Sequence, residues 1–376
     1  MRNFEVERGE EDDIEWDRKE FKKDRKQATA NDRSKYKKTD KAKYLNSLQQ
    51  AQHKKLNKQE WLEGRVFSIL PQGIWVDYQG KKISCLLKGL LKKDKTQSKN
   101  LVAVGDFVLF EKTAENEGMI SHVKPRKTIL SRADNLSRRK EQLIAVNIDQ
   151  VIITASVVTP PLKYAIIDRY IIATKKGGMR PLIVINKIDL LDSSDYDSSL
   201  LLQEKLIYEE ALRAYAVIGV PVISVSVKQN KGVNLLKEAM KNTSSVFSGQ
   251  SGVGKSSLIN AVTGLDLRVR ETVDKTKKGA HTTTTTQLIA LQEGGWCIDT
   301  PGIKSFGIWE LQRDEIEGYF TEIHALGRAC KFMDCTHSHE EQCAVQDALE
   351  EGKLSPLRYE SYQSLRLSVG ETHVRR

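Results

Sequence analysis

The run Gly249-Gln250-Ser251-Gly252-Val253-Gly254-Lys255-Ser256 constrains the fold of this chain more than any other segment, because G-x-x-x-x-G-K-[ST] works only between a strand and a helix. The apolar Ser245 to Phe247 before it reads as the strand, and Ser257 to Val262 after it as the helix. Glycines let successive backbone N–H groups close round a phosphate at a helix N-terminus. Lys255 would neutralise the β- and γ-phosphate oxygens and the Ser256 hydroxyl would ligate Mg²⁺, with Gln250, Ser251, Val253 and Ser257 completing the cradle. Such a loop belongs in an α/β sheet, and the sequence supplies one. Val151 to Ala155, Leu182 to Ile185, Val222 to Val225, Gln287 to Leu291 and Trp296 to Ile298 read as further strands, with helices over Leu200 to Ala216 and Gly232 to Met240.

Other motifs fall at the ends of these strands. Asp299-Thr300-Pro301-Gly302 suits the acidic end of a phosphate site, Asp299 holding Mg²⁺ through water and the Gly302 amide sensing a γ-phosphate. Between the two lies Gly279-Ala280-His281 followed by a threonine run, a switch segment from which Thr282, Thr283 or Thr284 would complete the Mg²⁺ shell. Asn186-Lys187-Ile188-Asp189 follows an apolar strand, where α/β sheets bind ligands. The Asp189 carboxylate can accept from guanine N1–H and N2–H₂, which adenine cannot reciprocate, and Ser226-Val227-Lys228 suits backbone contact with the guanine oxygen. Together these features select GTP over ATP and argue against a P-loop kinase. The base-reading elements come before the phosphate loop, the reverse of the ordinary order. A ring of βα units cut at another surface loop would preserve every neighbour.

Ile303, the residue after Gly302, cannot orient a water molecule as the glutamine of Ras-like enzymes does. His281 in the switch segment can orient or deprotonate water once a partner orders the loop.

Upstream, Glu63 to Leu70, Gly73 to Tyr78, Lys81 to Leu87, Phe107 to Glu111 and Gly118 to Val123 are short strands broken by turn residues, which suggests a small barrel of the OB or SH3-like kind. Lys81, Lys82, Lys88, Lys92, Lys93, Lys95 and Lys99 face only Asp94 in that interval, and Trp75, Tyr78 and Phe107 offer stacking surface. Before Trp61, positions 1–20 hold nine acids and 21–58 hold thirteen Lys and Arg, with too few large apolar residues to offset the entropy of ordering. This predicts a disordered charged tail over 1–60. The whole chain carries a net charge of +10, which favours a polyanionic partner. No apolar run is long enough for a bilayer, and the first residues are charged where a signal peptide would be apolar.

Cys330-x₄-Cys335-x-His337-x₅-Cys343 supplies the Cys₃His set that tetrahedral structural Zn²⁺ favours. With four protein ligands no open position remains for catalysis, so the metal would staple a small helical unit. His339, two residues on, is a competing ligand; Cys85 and Cys297 read as core residues.

The permuted order, G-Q-S-G-V-G-K-S-S, G-x-H-T-T-T and the cysteine cluster resemble the RsgA (YjeQ) family of ribosome small subunit-dependent GTPases, from about Trp61 to the C-terminus. The resemblance implies a multidomain α/β protein: an OB-fold RNA-binding domain over 61–126, a circularly permuted P-loop GTPase domain over 127–312 and a helical zinc-binding domain over 313–376. It implies a cytoplasmic GTP hydrolase of late small-subunit maturation that binds rRNA, uses His281 in hydrolysis and is released when GTP is cleaved; a monomer is the default expectation. A Pro-Gly usual in that family before the last cysteine is Glu341-Gln342 here. The rival expectation is an RNA-binding assembly chaperone in which nucleotide only sets conformation.

Overall fold

The computed structural model describes residues 61–88, 101–133, 141–265, 287–299 and 311–371. The charged tail, Lys92, Lys93, Lys95 and Lys99, His281, Thr282, Thr283, Thr284 and Gly302 lie outside the described residues.

Strands β1 (Leu62–Leu70), β2 (Gly73–Tyr78), β3 (Lys81–Leu87), β4 (Phe107–Ala114) and β5 (Glu117–Val123) form a barrel in the order β1-β2-β3-β5-β4, closed by β1 against β4. β3 and β5 run parallel and the other neighbours antiparallel, which is the partly open Greek-key arrangement of the OB fold and settles the choice left open by the sequence. Val66, Val76, Ile83, Cys85, Val108, Phe110 and Ile120 point inward at alternate positions. Gln79 and Gly80 both have positive φ, 52° and 78°, as a two-residue hairpin turn between twisted strands requires. Of the three aromatics expected to offer stacking surface, Tyr78 meets Phe110 edge-on at 5.8 Å and Trp75 lies 6.4 Å from Phe67. Phe107 lies under the Arg65 guanidinium at 5.2 Å and so belongs to the junction described next.

A second sheet holds β8 (Gln150–Ser156), β9 (Arg180–Asn186), β10 (Val222–Ser224), β11 (Ser244–Gly249), β12 (Gln287–Ala290) and β13 (Trp296–Asp299). Their order is β10-β9-β8-β11-β13-β12, all parallel except β12. β8 and β11 are buried at every position, so both faces are covered. Val151, Ile153 and Ala155 pack with helices α1 (Tyr164–Lys176) and α2 (Ser198–Val217), while Ile152 packs with α3 (Val233–Met240) and α4 (Lys255–Thr263). The chain starts this sheet in the middle, moves out through β9 to β10, then returns to lay β11 on the other side of β8. That reversal is the topological switch point, where a crevice opens beyond the carboxyl ends of the strands.

Barrel and sheet are joined by β1, which meets β12 at Ser68 and Gln287. Arg65 donates to Ser244 Oγ at 3.1 Å and to the Asn147 carbonyl at 2.9 Å. A hairpin of β6 (Ile129–Ala133) and β7 (Glu141–Val146), absent from the sequence reading, lies between them in the chain.

After residue 311 come α5 (Ile316–Tyr319), α6 (Thr321–Gly327), α7 (Ala344–Glu350) and α8 (Pro356–Glu371). Their core of Ile316, Phe320, Ile323, Val345, Leu354, Tyr362 and Leu365 includes Ile172 of α1, so this unit docks on the nucleotide-sheet side through that helix. Arg358 of α8 binds Asp168 of α1 and Glu322 of α6, and its guanidinium lies 4.3 Å from the Phe320 ring centre. Among the described residues no helix is long and apolar enough to cross a membrane.

Candidate nucleotide and metal sites

β11 delivers the chain to the crevice at Gly249, where a Cβ would come within 2.2 Å of the Thr154 carbonyl of β8. Gly254 caps α4 at φ 90°, and a Cβ there would lie 2.3 Å from Asn186 Nδ2. Only glycine fits either place. The loop between them exposes Ser251 and Gly252 and buries Val253. Lys255 Nζ donates to the carbonyls of Gly249 at 2.9 Å and Gln250 at 2.7 Å, so its charge stands at the mouth of the loop. Ser256 and Ser257 are half-buried in the first turn of α4, where free helix N–H groups favour an anion.

The N-K-x-D residues are tied to this loop directly. Asn186 ends β9, is 2% exposed, and donates through Nδ2 to the Val253 carbonyl at 3.0 Å. Lys187 has φ 64° and its Nζ donates to the carbonyls of Gly252 at 2.7 Å and Thr159 at 2.6 Å. Burial lowers the Lys187 pKa, opposed by the nearby Asp189 carboxylate. Ile188 packs into the core behind and starts a short 3-10 turn that holds Asp189. Asp189 Oδ1 accepts from Ser226 Oγ at 2.6 Å, and Ser226 is itself fixed by backbone pairing with Lys231. Ser226 thus orients the carboxylate through its side chain, a role beyond the backbone contact read from the sequence. Val227 is half-buried and Lys228 exposed at the same strand end. Asp299 closes β13 opposite Phe247, one strand from the phosphate loop.

Cys330, Cys335, His337 and Cys343 bring their ligand atoms within 4.8 Å of one another. The Cys330 and Cys343 sulfurs are 3.9 Å apart, and His337 Nδ1 lies 3.6 Å and 3.5 Å from them. Tetrahedral Zn²⁺ with bonds of about 2.3 Å to sulfur and about 2.0–2.1 Å to nitrogen gives edges of about 3.8 Å and about 3.6 Å, so the donor set fits. Burial pushes the Cys335 thiol up to about 12, a penalty that a bound cation would reverse. His337 has φ 60°, its carbonyl accepts from Tyr359 Oη at 2.6 Å and Gln363 Nε2 at 3.1 Å, and its Nε2 lies 3.5 Å from Glu317 Oε2. That carboxylate stands on the Nε2 side of the ring while Nδ1 faces the sulfurs, the side on which a metal-bound imidazole takes its second contact. His339 is exposed and outside the cluster. Across the Glu341-Gln342 departure the loop is braced by Glu340, which accepts from the Thr336 and Ser338 amides at 2.7 Å and 2.9 Å. Sequence reasoning missed Glu317, Glu340 and Tyr359, since nothing local marks a residue whose work is to hold a ligand.

The strand order, the phosphate loop and the N-K-x-D segment tied to it define a circularly permuted P-loop GTPase carrying an OB barrel and a helical Cys₃His unit. The RsgA GTPase family profile matches residues 123–309. The small ribosomal subunit biogenesis GTPase RsgA of Flavobacterium psychrophilum is 38% identical over 300 residues, covering 78% of this chain and 89% of that one. The protein of the same name from Chlorobaculum parvum is 39% identical over 284 residues, covering 73% and 88%. Among solved structures, YjeQ from Thermotoga maritima superposes with a TM-score of 0.64 at 30% identity over 82% of this chain and 98% of that one. YloQ, described as a circularly permuted GTPase, gives 0.61 at 26% identity over 84% and 96%. The chain belongs to the RsgA GTPase family, and its activity is GTP hydrolysis.

Proposed function

We propose that this protein acts on the small ribosomal subunit late in its maturation, binding rRNA in the GTP state and leaving when GTP is hydrolysed. The observation that carries the reading is the direct tie of N-K-x-D to the phosphate loop through Asn186 and Lys187, in a chain spanning nearly the whole of relatives named for small-subunit biogenesis. Gly249 to Ser257 would cradle the phosphates, and Asn186 to Asp189 with Ser226 to Lys228 would read the guanine. Ser256 and Asp299 would hold Mg²⁺ together with one of Thr282 to Thr284. The cation would shield the phosphate charge, and His281 would position or deprotonate the attacking water, with the Gly302 amide sensing the γ-phosphate. Zn²⁺ on the Cys₃His set would be structural.

Each domain has its part in this proposal: the barrel at 61–126 contacts rRNA, the GTPase domain at 127–312 switches, and the unit at 313–376 transmits. The basic stretch of the 1–60 tail adds electrostatic attraction to RNA. A monomer working in the cytoplasm fits a protein whose target is the ribosomal subunit.

The test is GTP hydrolysis by the purified protein with and without small ribosomal subunits, at fixed salt because phosphate contacts are salt-sensitive. Stimulation by subunits but not by free RNA, lost in Lys255→Ala and His281→Ala, is the expected result. Stable subunit binding without stimulation would instead favour an assembly chaperone whose nucleotide only sets conformation.

A further inference from the structure

Helix α2 carries an acid where its packing face is otherwise apolar. Leu201, Tyr208, Ala211 and Tyr215 face the core at helical spacing, and Glu204 falls in the same register, 5% exposed. Glu204 Oε2 accepts from the backbone N–H of Val158 at 3.1 Å, in the loop that follows β8. Val158 has φ 64°, and the Thr159 N–H closes onto the Val157 carbonyl at 2.7 Å around it. This is a γ-turn of the positive-φ kind, rare and strained, and costlier still at a β-branched residue. The carbonyl of Thr159, two residues on, is the one that accepts Lys187 Nζ at 2.6 Å, and the same ammonium holds the Gly252 carbonyl at 2.7 Å. The strap is also stitched by Ser156 Oγ to the Pro160 carbonyl at 2.8 Å and by Thr159 Oγ1 with Tyr196 Oη at 3.1 Å. A buried carboxylate, a strained turn, the N-K-x-D lysine and the phosphate loop therefore form one chain of contacts.

We infer that Glu204 is a positioning residue for the guanine nucleotide: it holds the Val157 to Pro161 strap in its strained turn, so that the Thr159 carbonyl fixes Lys187 and, through it, Gly252. Backbone strain persists only where surrounding contacts over-determine it, and here the over-determining contact is the buried hydrogen bond from the Val158 N–H to Glu204 Oε2. Without the carboxylate, the Val158 N–H is left unpaired and the residue relaxes toward negative φ. The Thr159 carbonyl then swings off Lys187. The loss falls on nucleotide binding rather than on turnover, because the strap touches the base-side lysine and the loop carbonyl, not the hydrolytic groups. The inference rests on the assignment of Lys187 and Gly252 to the nucleotide site.

The experiment uses the full zinc-loaded chain and a fluorescent N-methylanthraniloyl GDP, with release followed by stopped flow. Glu204→Ala is expected to release it about tenfold faster, within what an orphaned buried N–H costs, with kcat at saturating GTP unchanged. Glu204→Gln keeps an acceptor oxygen at the same reach and stays within about twofold of the parent protein. Adding Val158→Gly to Glu204→Ala recovers part of the loss, because glycine takes positive φ without strain although the N–H stays unpaired. An unchanged release rate in Glu204→Ala, a Gln variant as fast as the Ala variant, or no recovery with glycine overturns the inference. Failure of the parent protein to bind the GDP analogue overturns the site assignment instead. If Glu204→Ala does not fold, hydrogen exchange at Val158 in the parent protein decides: coupling is reciprocal, so GDP must slow that exchange, and an unchanged rate overturns the inference.

Discussion

Removing the Arg358 guanidinium tests what holds the helical unit against the GTPase domain. Asp168 is 0% exposed and Arg358 is 2% exposed, and the guanidinium is shared with Glu322 at 2.6 Å. Arg358→Ala strands a carboxylate in the core, which costs about 3–5 kcal/mol, and forfeits roughly 1 kcal/mol of cation–π attraction to Phe320. With a urea slope of about 3 kcal/mol per molar, the unfolding midpoint drops by about 1–2 M, read by far-ultraviolet circular dichroism with zinc present. Asp168→Asn removes the charge but keeps an acceptor, and Arg358 retains Glu322, so its cost stays below about 2 kcal/mol. The pH dependence has a definite sign. Burial pushes the Asp168 carboxyl up, so between its unfolded and folded pKa values the native state binds more protons than the unfolded one and stability falls as pH rises. Arg358→Ala, which removes the opposing cation, therefore loses more relative to the parent protein at about pH 8 than at about pH 5. A loss under about 1 kcal/mol, or equal costs for Arg358→Ala and Asp168→Asn, would show that apolar packing of Ile172, Phe320 and Tyr362 alone fixes the docking.

Gly254→Ala drives a Cβ to 2.3 Å from Asn186 Nδ2 at a backbone φ of 90°, so guanine nucleotide affinity falls at least about a hundredfold, measured by fluorescence titration. Asp189→Asn replaces an acceptor pair by one acceptor and one donor, which weakens GTP by about a hundredfold and favours xanthosine triphosphate in competition assays; unchanged GTP preference would remove Asp189 from base reading. Zinc analysis should find one ion per chain, and Cys343→Ser should lose it along with most of the C-terminal helical signal, whereas His339→Ala should keep both. Arg65→Ala, with its bonds to Ser244 and the Asn147 carbonyl at 3.1 Å and 2.9 Å, costs about 2 kcal/mol of thermal stability without changing nucleotide affinity.

The two motifs that the structure brings together, the phosphate loop and N-K-x-D, were legible in the sequence because each is contiguous, with adjacent residues at the end of an apolar run. The barrel strands were legible for the same reason, as alternation between turn residues. Helix α1 was not. Tyr-Ala-Ile-Ile-Asp-Arg-Tyr-Ile-Ile is rich in β-branched residues, has no side-chain cap at Lys163 and no acid in its first turn, so no local helix signal marks it, and packing on β8 and β9 makes it a helix. The β6–β7 hairpin escaped for a related reason, since Arg132, Glu141 and Gln142 interrupt its apolar pattern. Glu204 and Asp168 escaped because their partners lie 46 and 190 residues away in the chain, and a helix sequence alone does not reveal that an acid on its inner face has a donor waiting.

The choice between His337 and His339 belongs to the same kind of question. Spacing allows either, but a histidine can turn its ring into the sulfur cluster only if the backbone reverses there, and His337 does so at φ 60° with its carbonyl held by Tyr359 and Gln363 of α8. The Cys₃His loop is therefore braced by the helix that carries Arg358 onto α1. α1 in turn begins at Tyr164, just beyond the Val157 to Pro161 strap, and Tyr164 Oη bonds Glu360 of α8. The chain order places this helical unit directly after the D-T-P-G segment, so it is joined to the nucleotide site twice: covalently through residues 300–310, and by packing through α1 and the strap. An ordinary order of motifs, with the phosphate loop first, would leave only the second of these connections. On the proposed function, the rotation matters because it puts the helical Cys₃His unit directly after the D-T-P-G segment, the one proposed to sense the γ-phosphate.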